Sequence, residues 1–245
     1  MSSATTIDLI VRSRPVILEI LEARGYDIAS YKDVSPVDIY TMASKKPSIL
    51  TIKAKKSPDS AAPKDRVVVL YWTENKLYRQ SAATILEKMY AKVDSLPEKP
   101  DEEEDEDNGE IVGGAGDTGD EDVNIDPRRD EIIILLSESF HEQYNQLALA
   151  AWSARKIRIN FFALKNLISN PSKHFMVPPH RKLSPDEITE VLKNLHMRSV
   201  NEFPHIKFHF DMQARILGLV PGDVVEIQRP SETAGVYTFY RVCMP

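Results

Sequence analysis

The chain has 245 residues, 42% of them hydrophobic and 28% charged, with a formal net charge of −6. That is enough apolar material for one large domain or two small ones, and no apolar run approaches the ~20 residues that span a bilayer. The single cysteine, Cys243, excludes an internal disulfide framework and any zinc site built on clustered cysteines, and fits a reducing compartment. The opening "MSSATTIDLIVRSRP" has no long uncharged stretch, so no secretory signal is expected.

"IDLIVRSRPVILEILEAR" (7–24) reads as a helix with Ile10, Ile17, Leu18 and Leu21 near one face and Gly25 as its stop. Pro15 should kink it or mark a late start. "SPVDIYTMA" (35–43) opens with a capping serine and a first-turn proline, so a short helix follows. "SILTIKAKK" (48–56) and "RVVVLYW" (66–72) are rich in β-branched and aromatic residues and read as strands joined by a loop. "SAATILEKMYAKVDSL" (81–96) reads as a helix capped by Ser81.

Residues 98–126 hold 14 of the 37 acids and only one basic residue, including seven acids in a row. Such a segment buries too little apolar area to offset its ordering entropy and is expected to be a disordered, solvated insertion. The rest of the chain carries 30 basic residues against 23 acids. A mildly basic body can meet nucleic acid electrostatically, although a net charge this small also serves plain solubility.

Beyond the insertion, "EIIILLS" (131–137) is a near-continuous apolar run, the pattern of a strand covered on both faces. "SFHEQYNQLALAAWSA" (139–154) reads as a helix and "KIRINFFAL" (156–164) as a strand, so residues up to 168 form an α/β layered domain. Prolines crowd 170–184 and place a domain boundary there. "SPDEITEVLKNLHM" (184–197) begins with a capping box, Ser184 and Glu187, and carries an apolar stripe of Ile188, Val191, Leu192 and Leu195. "PHIKFHF" (204–210) alternates as a half-buried strand, with Ile206, Phe208 and Phe210 on one side and His205, Lys207 and His209 on the other. "DMQARILG" is a short helix capped by Asp211 and ended by Gly218. "VPGDVVEIQR" (220–229) is a turn and strand, and "VYTFYRVCM" (236–244) is the last strand. The expected core of this second unit is Ile206, Phe208, Phe210, Ile216, Leu217, Val224, Val225, Ile227, Tyr237 and Tyr240.

"RPSETAG", residues Arg229 to Gly235, lies between two strands with no helix after it, so it lacks the converging N–H groups of a phosphate-binding loop. Pro230 and Gly235 make a stiff hairpin connection that offers Ser231, Glu232 and Thr233 for contact.

"KHFMVPPHRKLSPDE" followed by "FPHIKFHFDMQARILGLVPGDVVEIQRPSETAGVYTFYRV" resembles the C-terminal module of the small jaw and assembly subunit, fifth-largest in size, that eukaryotic RNA polymerases I, II and III share and that has a counterpart in archaeal polymerases. The resemblance covers His174 to Val242, and the run Arg229–Gly235 matches the family wording throughout. Phe203 stands where leucine is usual and Met212 where proline is usual. Val220–Pro221 replaces a Lys-Arg pair, which removes two charges from that turn. The N-terminal half is similar to the eukaryotic jaw domain in layout only, with Gln80 in place of a proline.

The resemblance implies an α/β jaw domain at 1–168, a restriction-nuclease-like layered sheet interrupted by the 98–126 insertion, and a small α+β assembly domain with a mixed sheet at 170–245. It implies a non-catalytic subunit with no cofactor and no metal, docked on the largest polymerase subunit among other polymerase subunits. Neither a membrane contact nor a homo-oligomer is expected. The expected partner-binding residues are Arg229, Pro230, Ser231, Glu232, Thr233, Gly235, Tyr237 and Arg241, with His174 and His180. The jaw would lie by downstream double-stranded DNA and meet its phosphates without sequence preference through Lys53, Lys55, Lys56, Arg79 and the helix start at Ser81. A solvated strand edge that discourages edge pairing explains the lysines equally well. The nucleus is the expected compartment. Large DNA viruses also encode divergent versions of this subunit, for which the virion or a cytoplasmic viral factory applies.

Catalytic alternatives are weaker. A nuclease of the related fold needs two acids and a lysine around Mg²⁺, for which Asp65, Glu74 and Lys76 are the candidates, although an ordinary polar turn gives the same pattern. His205 and His209 share a strand face and could reach a metal, but no cysteine or carboxylate set accompanies them. Ser231 has no adjacent base, and Cys243 reads as a small core thiol. The remaining alternatives are a free-standing nucleic-acid-binding protein or residual Mg-dependent nuclease, and an assembly factor acting through the acidic segment.

Overall fold

A computed structural model describes residues 3–57, 64–73, 129–138 and 140–245. Arg79, Ser81, Glu74, Lys76, the 81–96 helix and the 98–126 insertion lie outside the described residues.

Helix α1 spans Ser3–Ala23 and carries Pro15 in its interior. Of the two expectations for Pro15, a kink or a late start, the late start is not found. An interior proline costs about 3 kcal/mol, whereas burying each of Ile10, Ile17, Leu18 and Leu21 returns roughly 1.5–3 kcal/mol, so the apolar face holds the helix through it. Gly25, at φ 86°, ends it. A short turn of helix α2, Ala29–Lys32, leads to α3, Pro36–Lys45, where the Ser35 side chain accepts from the Asp38 amide. The strand expected over 48–56 is shorter: Pro47–Leu50 is a 3-10 turn, and strand β1 is Ile52–Lys55.

Strands β1, β2 (Arg66–Trp72), β3 (Asp130–Leu136) and β4 (Ile159–Ala163) form a four-stranded sheet in that order. β1 pairs antiparallel with β2, whereas β2, β3 and β4 run parallel. β3 is buried along its whole length, as its apolar run requires. Its residues alternate between two cores. Ile133 and Leu135 pack with α1 and α3, while Ile132, Ile134 and Leu136 pack with Tyr144, Ala148 and Ala151 of helix α4, Glu142–Arg155. This half is therefore a sheet between helical layers. After β4 the chain turns through a 3-10 segment, Leu164–Leu167, which truncates the strand expected to reach 164.

The second sheet has the order β5-β7-β8-β6, from β5 (His180–Lys182), β6 (His205–Lys207), β7 (Val224–Ser231) and β8 (Gly235–Met244). It is mixed: β6 runs parallel to β8 and the other pairs are antiparallel. Helix α5, Pro185–Asn194, starts with the expected capping box of Ser184 and Glu187. Its Ile188, Val191 and Leu192 pack on Leu183, Phe203, Val224 and Val242. Leu195 follows the helix and is exposed, so it is not part of the stripe.

Other core expectations also change. β6 ends at Lys207, and the chain turns where a longer strand was expected. Phe208 stays buried, but Phe210 and Tyr237 are exposed by 51% and 59% and leave the core list. His209 does not share an outer face with His205; it is buried. Helix α6, Met212–Leu217, is capped by Asp211, which accepts from Gln213 and Ala214, and closed by Gly218 at φ 72°. Its Ile216 packs in the core of the first sheet, not the second. Trp152 of α4 conversely packs with the second sheet's core and meets Phe208 at 5.4 Å between ring centroids.

Candidate functional site

The two halves meet at a buried arginine clasp that sequence reading did not find. Arg24, at the end of α1, donates through Nε to the Ile216 carbonyl at 2.6 Å and through Nη2 to the Arg215 carbonyl. Arg158, just before β4, donates to the Gly218 carbonyl. These oxygens stand at the C-terminal end of α6, where the Arg215 carbonyl also accepts from the Gly218 amide and the dipole favours cations. Arg215 reaches back the other way, 2.8 Å from the Phe161 carbonyl.

Glu131 on β3 balances the clasp. Its Oε1 lies 2.6 Å from Arg24 Nη1, 3.0 Å from Arg158 Nε and 2.7 Å from Asn160 Nδ2. Burial alone raises its carboxyl pKa, but the Arg24 and Arg158 charges outweigh burial and hold it below the ordinary value. Arg158 is pulled down by burial against the attraction of Glu131. The signals were "ARGYD" at a helix stop and an arginine alternating into the apolar strand of "KIRIN". Periodicity marks such residues as misfits but does not say where their charges go.

The hairpin that carries "RPSETAG" is built by backbone register. β7 and β8 pair from Val224↔Val242 to Ser231↔Gly235. The Ser231 hydroxyl accepts from the Ala234 amide at 3.3 Å and lies 3.4 Å from the Thr233 hydroxyl, so it shapes the turn. Gly235 takes φ 71°, with open space where a Cβ would project. Arg229, Glu232 and Thr233 are exposed at or near the tip. Tyr237 stacks on Phe239 at 6.1 Å, and Arg241 sits over Phe239 while donating to the His205 carbonyl at 3.0 Å.

The two expected histidines are placed differently. His180 pairs with Ile227 at the base of the hairpin, its Nδ1 2.6 Å from the Pro178 carbonyl. His174 lies in the turn after a 3-10 segment, Pro171–Lys173, with its Nδ1 accepting from the Met176 amide at 3.2 Å. Beside it Phe175 is 88% exposed.

Lys53 and Lys55 point to one exposed face of β1, opposite the buried Ile52 and Ala54. The backbone edge of β1 is not open. The Tyr31 hydroxyl bonds both the amide and the carbonyl of Lys53 at 3.0 Å, Asp27 donates to Lys55, and Tyr26 bridges to Lys56. The lysines therefore have no edge left to guard at these positions.

Of the nuclease candidates only Asp65 lies among the described residues. Asp65 is exposed and ion-paired with Arg129 at 3.5 Å. His209 is turned inward, and burial together with the nearby Arg215 charge pushes its pKa down to about 4. Among the described residues no group of His, Cys, Asp and Glu is arranged to hold a metal, and no helix is long and apolar enough to cross a membrane. Burial pushes the Cys243 thiol up to about 12, which leaves it protonated and unreactive at neutral pH.

The family model described as RNA polymerase Rpb5, C-terminal domain, matches residues 169–243. Over 124 residues the chain is 36% identical to the DNA-directed RNA polymerases I, II, and III subunit rpabc1 of Dictyostelium discoideum, covering 50% of this chain and 61% of that subunit. It is 46% identical over 69 residues to the DNA-directed RNA polymerase subunit Rpo5 of Thermococcus kodakarensis, covering 28% of this chain and 82% of the archaeal one. The Rpo5 subunit of Pyrococcus abyssi is 44% identical over 73 residues, 87% of its length.

Proposed function

This chain belongs to the family of DNA-directed RNA polymerase subunits that includes Rpo5 and the subunit shared by polymerases I, II and III, and from that membership we propose how it works in such a machine. It acts as a non-catalytic subunit. Residues 170–245 dock it on the largest polymerase subunit, and residues 1–168 form a lower jaw beside downstream DNA. The nucleus is the compartment that goes with the eukaryotic relative.

The observation that carries the docking surface is the tip of the β7–β8 hairpin. Ser231 and Gly235 shape the turn and Pro230 lies in β7 beside it, whereas the Arg229, Glu232 and Thr233 side chains are exposed to solvent. A stiff turn displaying charged side chains is pre-organised, which lowers the ordering cost of binding. Tyr237 and Arg241 extend that surface along β8, and His180 lies at its base. His174, beside the exposed Phe175, marks a separate part of the same unit. The test is the double substitution Arg229→Ala, Glu232→Ala: the expected result is loss of polymerase from the purified subunit with an unchanged melting temperature. Normal co-purification would reject the tip as the contact.

For the jaw, the shared exposed face of Lys53 and Lys55, with Lys56 beside it, supports contact with phosphates, since β1 is already edged by other residues. Arg79 and Ser81 complete the proposed DNA-proximal set from outside the described residues. Contact of this kind is salt-dependent and sequence-tolerant. Crosslinking of downstream DNA in a transcribing complex should mark Lys53–Lys56; an unmarked jaw would reject it.

A further inference from the structure

The two long strands of the second sheet are edged differently. Leu183 donates to the Val224 carbonyl, Gln228 donates to the Pro179 carbonyl, and Val242 donates to the Pro204 carbonyl. With the register of β7 and β8, these bonds fix the parity of the hairpin: even-numbered residues of both strands turn their backbone groups outward. On β7 the outward positions are used or blunted. Residues 224, 226 and 228 meet the β5 segment, and position 230 is a proline with no N–H to offer. On β8, β6 covers only Val242 to Met244. The Val236 amide is turned in to Ala234. The outward amides of Thr238 and Tyr240 have no backbone partner among the described residues.

Soluble proteins blunt such edges with charge, proline or a covering segment, and this chain does so on β7 and on β1. The β8 edge instead carries Val236 and Tyr237, 63% and 59% exposed, beside the solvent-facing Arg229 that pairs with Tyr237 across the hairpin. We propose that the outer edge of β8, Val236–Tyr240, receives an extended segment of another polymerase subunit as an added strand. The incoming strand pairs its backbone with Thr238 and Tyr240, sets a carboxylate on the Arg229 face beside Tyr237, and lays a small apolar residue by Val236. This proposal rests on the reading of the chain as a polymerase subunit.

The test uses the tagged full chain in cells that make the polymerase. Thr238→Pro removes one outward amide and puts a ring on the edge, yet spares the ladder to β7, as Pro230 does at an equivalent outward position. The expected result is at least about a tenfold loss of recovered polymerase with a melting temperature within about 3 °C of wild type, while Thr238→Ala stays within about twofold. In parallel, amide exchange of the unaltered protein should show Thr238 and Tyr240 fast in the free chain and slow in the polymerase-bound one.

Full recovery by Thr238→Pro, with both amides equally fast free and bound, overturns strand addition and leaves the subunit reading intact. Slow exchange at both amides in the free monomer would mean that the chain covers its own edge, which also overturns it. A dimer of the free chain dissociated by Thr238→Pro would put a second copy there, with the same consequence. If the wild-type chain recovers no polymerase at all, the subunit reading itself fails and takes this proposal with it.

Discussion

Arg24 and Glu131 are 107 residues apart in sequence, yet Arg24 Nη1 lies 2.6 Å from Glu131 Oε1 with both side chains almost fully buried. The pair does more than neutralise itself. Arg24 also donates through Nε and Nη2 to the end of α6, so the carboxylate of the first sheet steers an arginine onto a helix of the second unit. Two arginines share one glutamate, and the surplus positive charge rests on carbonyl oxygens at the negative end of that helix.

Removing the carboxylate should therefore cost more than any one hydrogen bond. Glu131→Gln removes the buried carboxylate that Arg24 and Arg158 share, a change worth about 3–5 kcal/mol. For a chain of this size that is a fall in melting temperature of about 6–20 °C. Differential scanning calorimetry of the variant checks it. A shift under about 2 °C would mean that the clasp does not hold the two halves together.

His209 predicts a specific acid sensitivity. Its folded pKa of about 4 lies below the ordinary 6.5. Between those values the unfolded chain takes up a proton that the folded chain refuses, so this group lowers stability as pH falls from about 6.5 to about 4, by about 1 kcal/mol per pH unit or less. Above that window it contributes no pH dependence. Chemical denaturation of wild type and His209→Phe at pH 7.5, 6 and 5 should show the wild-type slope flattened in the variant. Parallel curves would remove His209 as the cause.

Gly235 is held by its backbone angle and not by crowding, since a Cβ there meets nothing within 4 Å. At φ 71° an L side chain costs roughly 1–2 kcal/mol, and asparagine tolerates this region better than alanine. Gly235→Ala should lower the melting temperature by about 2–8 °C, with Gly235→Asn closer to wild type. Equal melting temperatures for all three would contradict the assigned turn.

Ser184 accepts from the Glu187 amide at 3.3 Å, and Glu187 accepts from the Ser184 amide at 2.8 Å. Ser184→Ala should cost about 1 kcal/mol, seen as a lower denaturant midpoint with an unchanged slope. The nearby Leu195 is exposed and gives the contrast: Leu195→Ser should leave the midpoint in place.

What could be read from the sequence was what local spacing controls. Ser35, Ser184 and Asp211 cap the helices that their patterns announced, and β3 is the doubly covered strand that its apolar run implied. The "RPSETAG" hairpin was legible because proline and glycine act through their own backbone angles. Partnership across distance was not legible. Phe210 follows the alternation of β6 in sequence, but the chain turns before it arrives, so it faces solvent while His209 goes in. The clasp was hidden for the same reason. A buried arginine is tolerable only beside particular oxygens, and those belong to α6, some 190 residues away in the case of Arg24.

The most direct measurement is affinity purification of the tagged full-length chain from cells that make it, at near-physiological salt, with the co-purifying proteins identified by mass spectrometry. The account predicts the largest RNA polymerase subunit in amounts comparable to the tagged chain, together with other polymerase subunits. Recovery of the chain alone, or with proteins that include no polymerase subunit, would contradict it.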